Sequence, residues 1–151
     1  MIRPRNKPTA ATLETQSGNG NGKIEDFLIK LKVMHDGIPI TAIIDTGSQL
    51  NVVREEVAQK IIGMPVDLTC PITMNDANGG EGVLRGFLGD VKLRCGTITT
   101  SCDLHVGDQV PFDLLLGRPW QCGNHVSIIE KRNRTYLEFR DVNTNQCHFE
   151  V

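Results

Sequence analysis

The feature that most constrains this chain is the apolar run Ile38-Pro39-Ile40-Thr41-Ala42-Ile43-Ile44, which stops at Asp45-Thr46-Gly47-Ser48. Its β-branched content predicts a buried strand. A carboxylate at the mouth of such a strand is costly unless hydrogen bonds reach it. Gly47 permits the sharp turn that brings backbone N–H groups toward Asp45, and Thr46 and Ser48 add hydroxyls. That combination suits a carboxylate placed to activate water. A plain strand ending in an Asp-Gly-type turn has the same letters, so the string alone leaves both readings open.

Two further segments narrow the choice. Asp113-Leu114-Leu115-Leu116-Gly117 is a second apolar strand ending at a glycine, followed by Arg118 and Pro119 at what reads as the first turn of a short helix. Between the two strands, residues 74–84 hold turn formers at their centre and apolar residues on both sides. This predicts a hairpin with its tip at Ala77, Asn78, Gly79 and Gly80, with an ordinary surface hairpin as the bland alternative. In this order (acidic strand-turn, glycine-rich hairpin, hydrophobic-hydrophobic-Gly strand) the chain resembles the retropepsins, the single-lobe aspartic proteases of retroviruses and long-terminal-repeat retrotransposons. It looks most like the gypsy-type retrotransposon proteases and the related domain of ubiquitin-shuttle proteins. The resemblance runs over residues 27–139 and implies an all-β fold, a small closed β-barrel of the retropepsin type with one or two short helices.

The remaining pattern agrees with that architecture. Asp36-Gly37 is a favoured two-residue hairpin turn joining residues 27–34 to 38–44. Residues 54–62 read as a short helix with Gly63 as its stop. Strands are expected at 68–74, 83–93, 97–106 and 112–116, a short helix at 119–122, and a hairpin of 126–130 and 135–139. Many short strands separated by turn signals mean a small barrel. Residues 1–23 hold almost no large apolar side chains and read as a flexible arm. The barrel domain is expected over 24–140, with 141–151 a tail that adds a dimer strand or frays.

Composition excludes several function classes. A net charge of −2 offers no basic field for nucleic acid or an anionic membrane. Neither a membrane-length apolar stretch nor a leader-like hydrophobic core is present. Cys70, Cys95, Cys102, Cys122 and Cys147 are odd in number and form no C-x-x-C pair. We therefore expect free buried thiols in a reducing compartment and an intracellular, cytoplasmic protein. His35, His105, His125 and His148 lack metal-ligand spacing, and no metal or cofactor is expected.

The resemblance assigns roles residue by residue. Such hydrolysis needs two carboxyl groups sharing one proton, one taking a proton from water and the other polarising the scissile carbonyl. Like charges about 3 Å apart cannot both ionise. The chain holds a single Asp-Thr-Gly, and Asp113 is not followed by Thr-Gly or Ser-Gly. The resemblance therefore implies a homodimer in which each copy supplies one Asp45. It further implies that Thr46 bonds across to the partner's backbone and that Gly47 receives substrate backbone. Ser48 can hydrogen-bond Asp45 and hold its ionised form, and it is counted with the substrate-binding residues. Ala77, Asn78, Gly79 and Gly80 match the flap tip that closes over an extended peptide or polyprotein substrate. Leu115, Leu116 and Gly117 match the strand beneath the loop, and Arg118 the family's structural arginine. Many retroviral members carry an acidic residue where this chain has Gln49, so a Gln49–Arg118 hydrogen bond would replace an ion pair. The competing reading is a catalytically silent binding or dimerisation module of the same fold. Replacing Gly79 and Gly80 together by Val should restrict positive φ at the tip and lower peptide turnover while leaving barrel stability nearly unchanged. Steady-state kinetics beside an unfolding curve checks this.

Overall fold

The computed structural model describes residues 28–75, 81–140 and 146–151. The expected arm at 1–23 and the hairpin tip Ala77, Asn78, Gly79 and Gly80 lie outside them. Strand β1 (Ile29–His35) alternates inward Leu31, Val33 and His35 with outward Lys30 and Lys32. It pairs antiparallel with β2 (Ile38–Ile44) through Asp36 and Gly37, whose φ values of 49° and 83° are those a type I′ turn demands. After the Asp45 loop come β3 (Val52–Arg54) and α1 (Glu55–Val57), which widens into a π-helical turn, Ala58–Ile62. Gly63 at φ 70° ends it, its N–H donating to the Ala58 carbonyl five residues back.

A small hairpin of β4 (Ile72–Asn75) and β5 (Glu81–Leu84) stands apart from the barrel sheet. The long hairpin β6 (Gly86–Cys95) and β7 (Ile98–Gly107) follows, then β8 (Leu114–Leu116) and α2 (Arg118–Gly123). Six strands close into a barrel in the order β1-β2-β8-β3-β7-β6, with β8 parallel to β2 and antiparallel to β3. Strands β9 (Val126–Lys131), β10 (Arg134–Arg140) and β11 (Gln146–Glu150) form a separate antiparallel sheet. Residues 146–150 thus pair with β10 of their own chain. Among the described residues no helix is long and apolar enough to cross a membrane.

The structure departs from the sequence reading at three points. The strand expected at 68–74 begins only at Ile72, because the Asp67 carboxylate captures the Thr69 N–H (2.9 Å) and hydroxyl (2.7 Å) in a turn ahead of Pro71. The single strand expected over 83–93 breaks at Arg85, since β5 pairs with β4 and β6 with β7. Not all thiols are buried either: Cys95 and Cys102 are, whereas Cys70 and Cys122 are exposed. Burial pushes the Cys95 and Cys102 thiols up to about 11 and about 12, so both are neutral and unreactive.

Side-chain alternation divides the apolar residues into two clusters. Ile44, Val53, Leu114 and Leu116 point into the barrel core with Leu31, Leu88, Leu104 and Trp120. Val52 and Leu115 point the other way, and with Ile43, Phe112, Ile72, Met74 and Leu84 they form a second cluster shared with the β4–β5 hairpin. Trp120, fully buried, anchors α2: its Nε1–H donates to Thr100 Oγ1 at 3.0 Å, and Phe139 meets its ring edge-on at 6.1 Å. Trp120→Phe removes that donor and part of the ring, so unfolding free energy should fall by about 2–4 kcal/mol. A shift of the urea midpoint at constant slope would report it.

Candidate active site

Asp45 is the first residue beyond β2, and its backbone N–H continues the parallel pairing by donating to the Leu116 carbonyl at 2.9 Å. The chain then turns back tightly. The Gly47 N–H donates to Asp45 Oδ1 at 3.0 Å, and the Ser48 N–H to the Asp45 carbonyl at 3.1 Å. Asp45 is 8% exposed and Ser48 6%, while Thr46 between them is open to solvent and Gly47 half-buried. The carboxylate therefore sits low, held by its own loop, with the Thr46 side chain at the surface beside it.

Ser48 does not serve Asp45 as expected. Its hydroxyl donates to the Leu50 carbonyl (2.8 Å) and accepts from the Leu50 N–H (3.2 Å), so its single proton is committed to the next turn. Gly117 packs against this turn so closely that a Cβ there would lie 2.3 Å from the Leu50 carbonyl oxygen and 2.7 Å from that of Ser48. Glycine is required here by space, not by conformation. The Arg118 N–H donates to the Ser48 carbonyl at 2.8 Å, while its exposed guanidinium donates to Gln121 at 3.0 Å in place of Gln49. Leu115 and Leu116 lie beneath the loop on β8, paired with Ile43 and Ile44. The structure therefore gathers Asp45, Thr46, Gly47, Ser48, Leu115, Leu116, Gly117 and Arg118 at one end of the β2–β8 pair.

The formal second acid, Asp113, lies at the other end of that pair. It precedes Leu114, which is level with Ala42. Four residue steps then separate its level from Asp45, about 13 Å at the usual rise. Its carboxylate faces Arg54 Nη2 at 3.5 Å.

Sequence reasoning passed over Asn51. It is 3% exposed, and its side-chain oxygen accepts the Gly117 and Trp120 N–H groups at 2.8 and 3.3 Å. A small polar residue directly before an apolar strand was the available signal, and it does not name the partner.

Outside the loop, Gln49, Leu50, Asn51, Phe87, Asp103 and His105 border an open cleft of about 450 Å³. The half-buried His105 ring meets Phe87 edge-on at 5.3 Å. Burial lowers its pKa below the ordinary value of 6.5, outweighing the opposing Asp103 carboxylate. Protonation therefore favours the unfolded chain. His105 stabilisation is full above about pH 6.5 and is lost as pH falls toward the lower folded-state value. His105→Gln should flatten that acid limb relative to the parent, as measured by urea unfolding from pH 5 to 8.

The chain was compared with known proteins. A family profile described as "Aspartyl protease" matches residues 31–120. No curated protein sequence matches significantly. Among solved structures, the chain is similar to the retroviral protease-like domain of Ddi1 from Leishmania major, at TM-score 0.60 and 14% identity over 81% of this chain and 94% of that one. It is also similar to a retropepsin-like aspartic protease from Rickettsia conorii, at TM-score 0.54 and 20% identity over 72% of this chain and 88% of that one. The expected retropepsin-like barrel is the fold observed.

Proposed function

The chain belongs to the aspartyl protease family, and from that premise we propose that it is an endopeptidase active as a homodimer, with one Asp45 from each copy. The observation that carries this reading is the pairing of a buried, loop-held Asp45 with an exposed Thr46, while Asp113 is engaged with Arg54 far down the strand pair. In this reading each chain supplies one carboxyl of a two-carboxyl site, buried in its loop beside the exposed Thr46. Across a two-fold axis the two Asp45 carboxyls share one proton. The ionised one deprotonates the attacking water and the protonated one polarises the scissile carbonyl. Thr46, beside the axis, bonds to the partner's loop, and Gly47 offers backbone to substrate.

The substrate in this reading is an extended polypeptide, such as a polyprotein, lying between the β4–β5 hairpin and the barrel. The second apolar cluster supports this: Ile43 and Leu115 adjoin the Asp45 loop, and Ile72 and Met74 come from the hairpin. Side chains flanking the scissile bond are therefore hydrophobic.

Incubation with an unfolded polypeptide from pH 4 to 7, with and without a statine-type inhibitor, tests the activity. Asp45→Asn should fold and lose turnover entirely. Specific activity of the parent should fall on dilution below the dimer dissociation constant. Excess Asp45→Asn chains should suppress it further, because mixed dimers hold one usable aspartate. Activity that survives Asp45→Asn would refute the assignment. A dimer with no turnover at any pH would favour the silent binding module.

A further inference from the structure

The Asp45 N–H fixes the near end of the loop on Leu116 of β8, and the turn beyond it rests on the residues that follow that strand. Two residues beyond β8 carry it: Gly117 lets the Ser48 and Leu50 carbonyls approach closely, and the Arg118 N–H holds the Ser48 carbonyl at 2.8 Å. Ser48 in turn donates its N–H to the Asp45 carbonyl at 3.1 Å. The turn that holds the Asp45 carboxylate therefore follows the first turn of α2.

We propose that Asn51 is the residue that sets the position of that turn, a positioning residue for Asp45; its kinetic consequence rests on the proteolytic reading above. Asn51 lies where the loop enters β3, and its side chain joins three segments. Its Oδ1 accepts the Gly117 N–H (2.8 Å) and the Trp120 N–H (3.3 Å), and its Nδ2–H donates to the Asp103 carbonyl on β7 at 3.1 Å. Its backbone carbonyl accepts the His105 N–H at 2.9 Å, fastening the same residue to β7 a second time. The amide thus ties the loop, the start of α2 and β7 into one unit. Alanine at this position leaves two buried N–H groups and a carbonyl without these partners. Without that brace, Gly117 and Arg118 can drift, and with them Ser48 and the turn whose Gly47 N–H orients the Asp45 carboxylate.

The same helix carries a built-in control. Asn124, at the far end of α2, accepts the Ser101 N–H (3.0 Å) and donates to the Ser101 carbonyl (2.9 Å) and the Trp120 carbonyl (2.9 Å). It fastens α2 to β7 much as Asn51 does, yet its bonds go to β7 and α2 alone. Both side chains stabilise the helix, and Asn51 alone of the two braces the loop. A purely structural role predicts the same behaviour for both.

The test compares Asn51→Ala with Asn124→Ala in the full chain, using an extended fluorogenic peptide with hydrophobic residues around the scissile bond. Misplacing a reacting group by a fraction of an ångström to 1 Å lowers turnover steeply, so Asn51→Ala should lose about 10- to 100-fold in kcat with KM changed less than about threefold. Asn124→Ala, at a similar loss of melting temperature, should stay within about threefold of the parent kcat. A folded Asn51→Ala protein with parental kcat, or an equal kcat loss in the two variants, would overturn the proposal. Asn51→Ser, too short to span to Gly117, is held to the same outcomes should the alanine variant not fold. If the parent chain has no peptidase activity, the proteolytic reading fails by itself. Amide hydrogen exchange then decides Asn51: exchange at Gly47 and Ser48 at least about tenfold faster in Asn51→Ala, and unchanged in Asn124→Ala, supports the brace. Unchanged exchange at both residues in Asn51→Ala would overturn it.

Discussion

A hydrogen bond from the Asp45 N–H to the Leu116 carbonyl, at 2.9 Å, is the joint on which the rest of the molecule depends. It extends a parallel pairing between strands far apart in the chain, β2 and β8, which the chain reaches only after building β3 through β7. Such a crossover has a high loop-closure entropy, and burial must offset it. Every residue of β8 is buried, as are Ala42 and Ile44 of β2. Moving Asp45 relative to Leu116 therefore means opening the barrel core. The near end of the Asp45 loop is rigid because its footing is a fully buried strand, while the turn beyond it rests on the residues after β8.

Strands β2, β8 and β3 together divide the core from a second apolar face. In β2, β8 and β3, alternate residues face opposite ways: Ile44, Leu116 and Val53 into the core, Ile43, Leu115 and Val52 toward the β4–β5 hairpin. A slip of one residue would exchange the two sets, so the packing that stabilises the barrel also fixes which side chains form the apolar platform. The β6–β7 hairpin carries a comparable constraint. Gly89 and Asp90 oppose Asp103 alone, in a bulge where Asp90 takes φ 54° and donates its N–H to the Asp103 carboxylate at 2.9 Å. The backbone carbonyl of that same Asp103 receives Asn51, which links the bulge to the site.

Much of this was written locally. The run at 38–44 became β2 with those bounds because β-branched content and the Asp36-Gly37 turn act within a few residues. Gly63 ends its helix by the left-handed φ that glycine adopts without strain. The turn at Arg132 and Asn133, both at positive φ, lies inside the hairpin expected there. The Asp45-Thr46-Gly47-Ser48 turn and the Leu-Leu-Gly strand were each readable, as was their likeness to one family. In each case the deciding interactions run between near neighbours or along one face of one strand.

What tertiary structure alone decided is the choice among partners that each residue could have had. Ser48 had a hydroxyl for Asp45 and gave it to Leu50; Arg118 had Gln49 within the family's pattern and took Gln121. The 83–93 run broke at Arg85 because its first part pairs with β4 and its second with β7. Asn51 found its partners 52 and 66 positions away. Periodicity and turn chemistry record a residue's preference for a conformation or a face. Hydrogen-bond partners and close approaches depend on which distant segment arrives at that face, and the closing of the barrel is what brings it there.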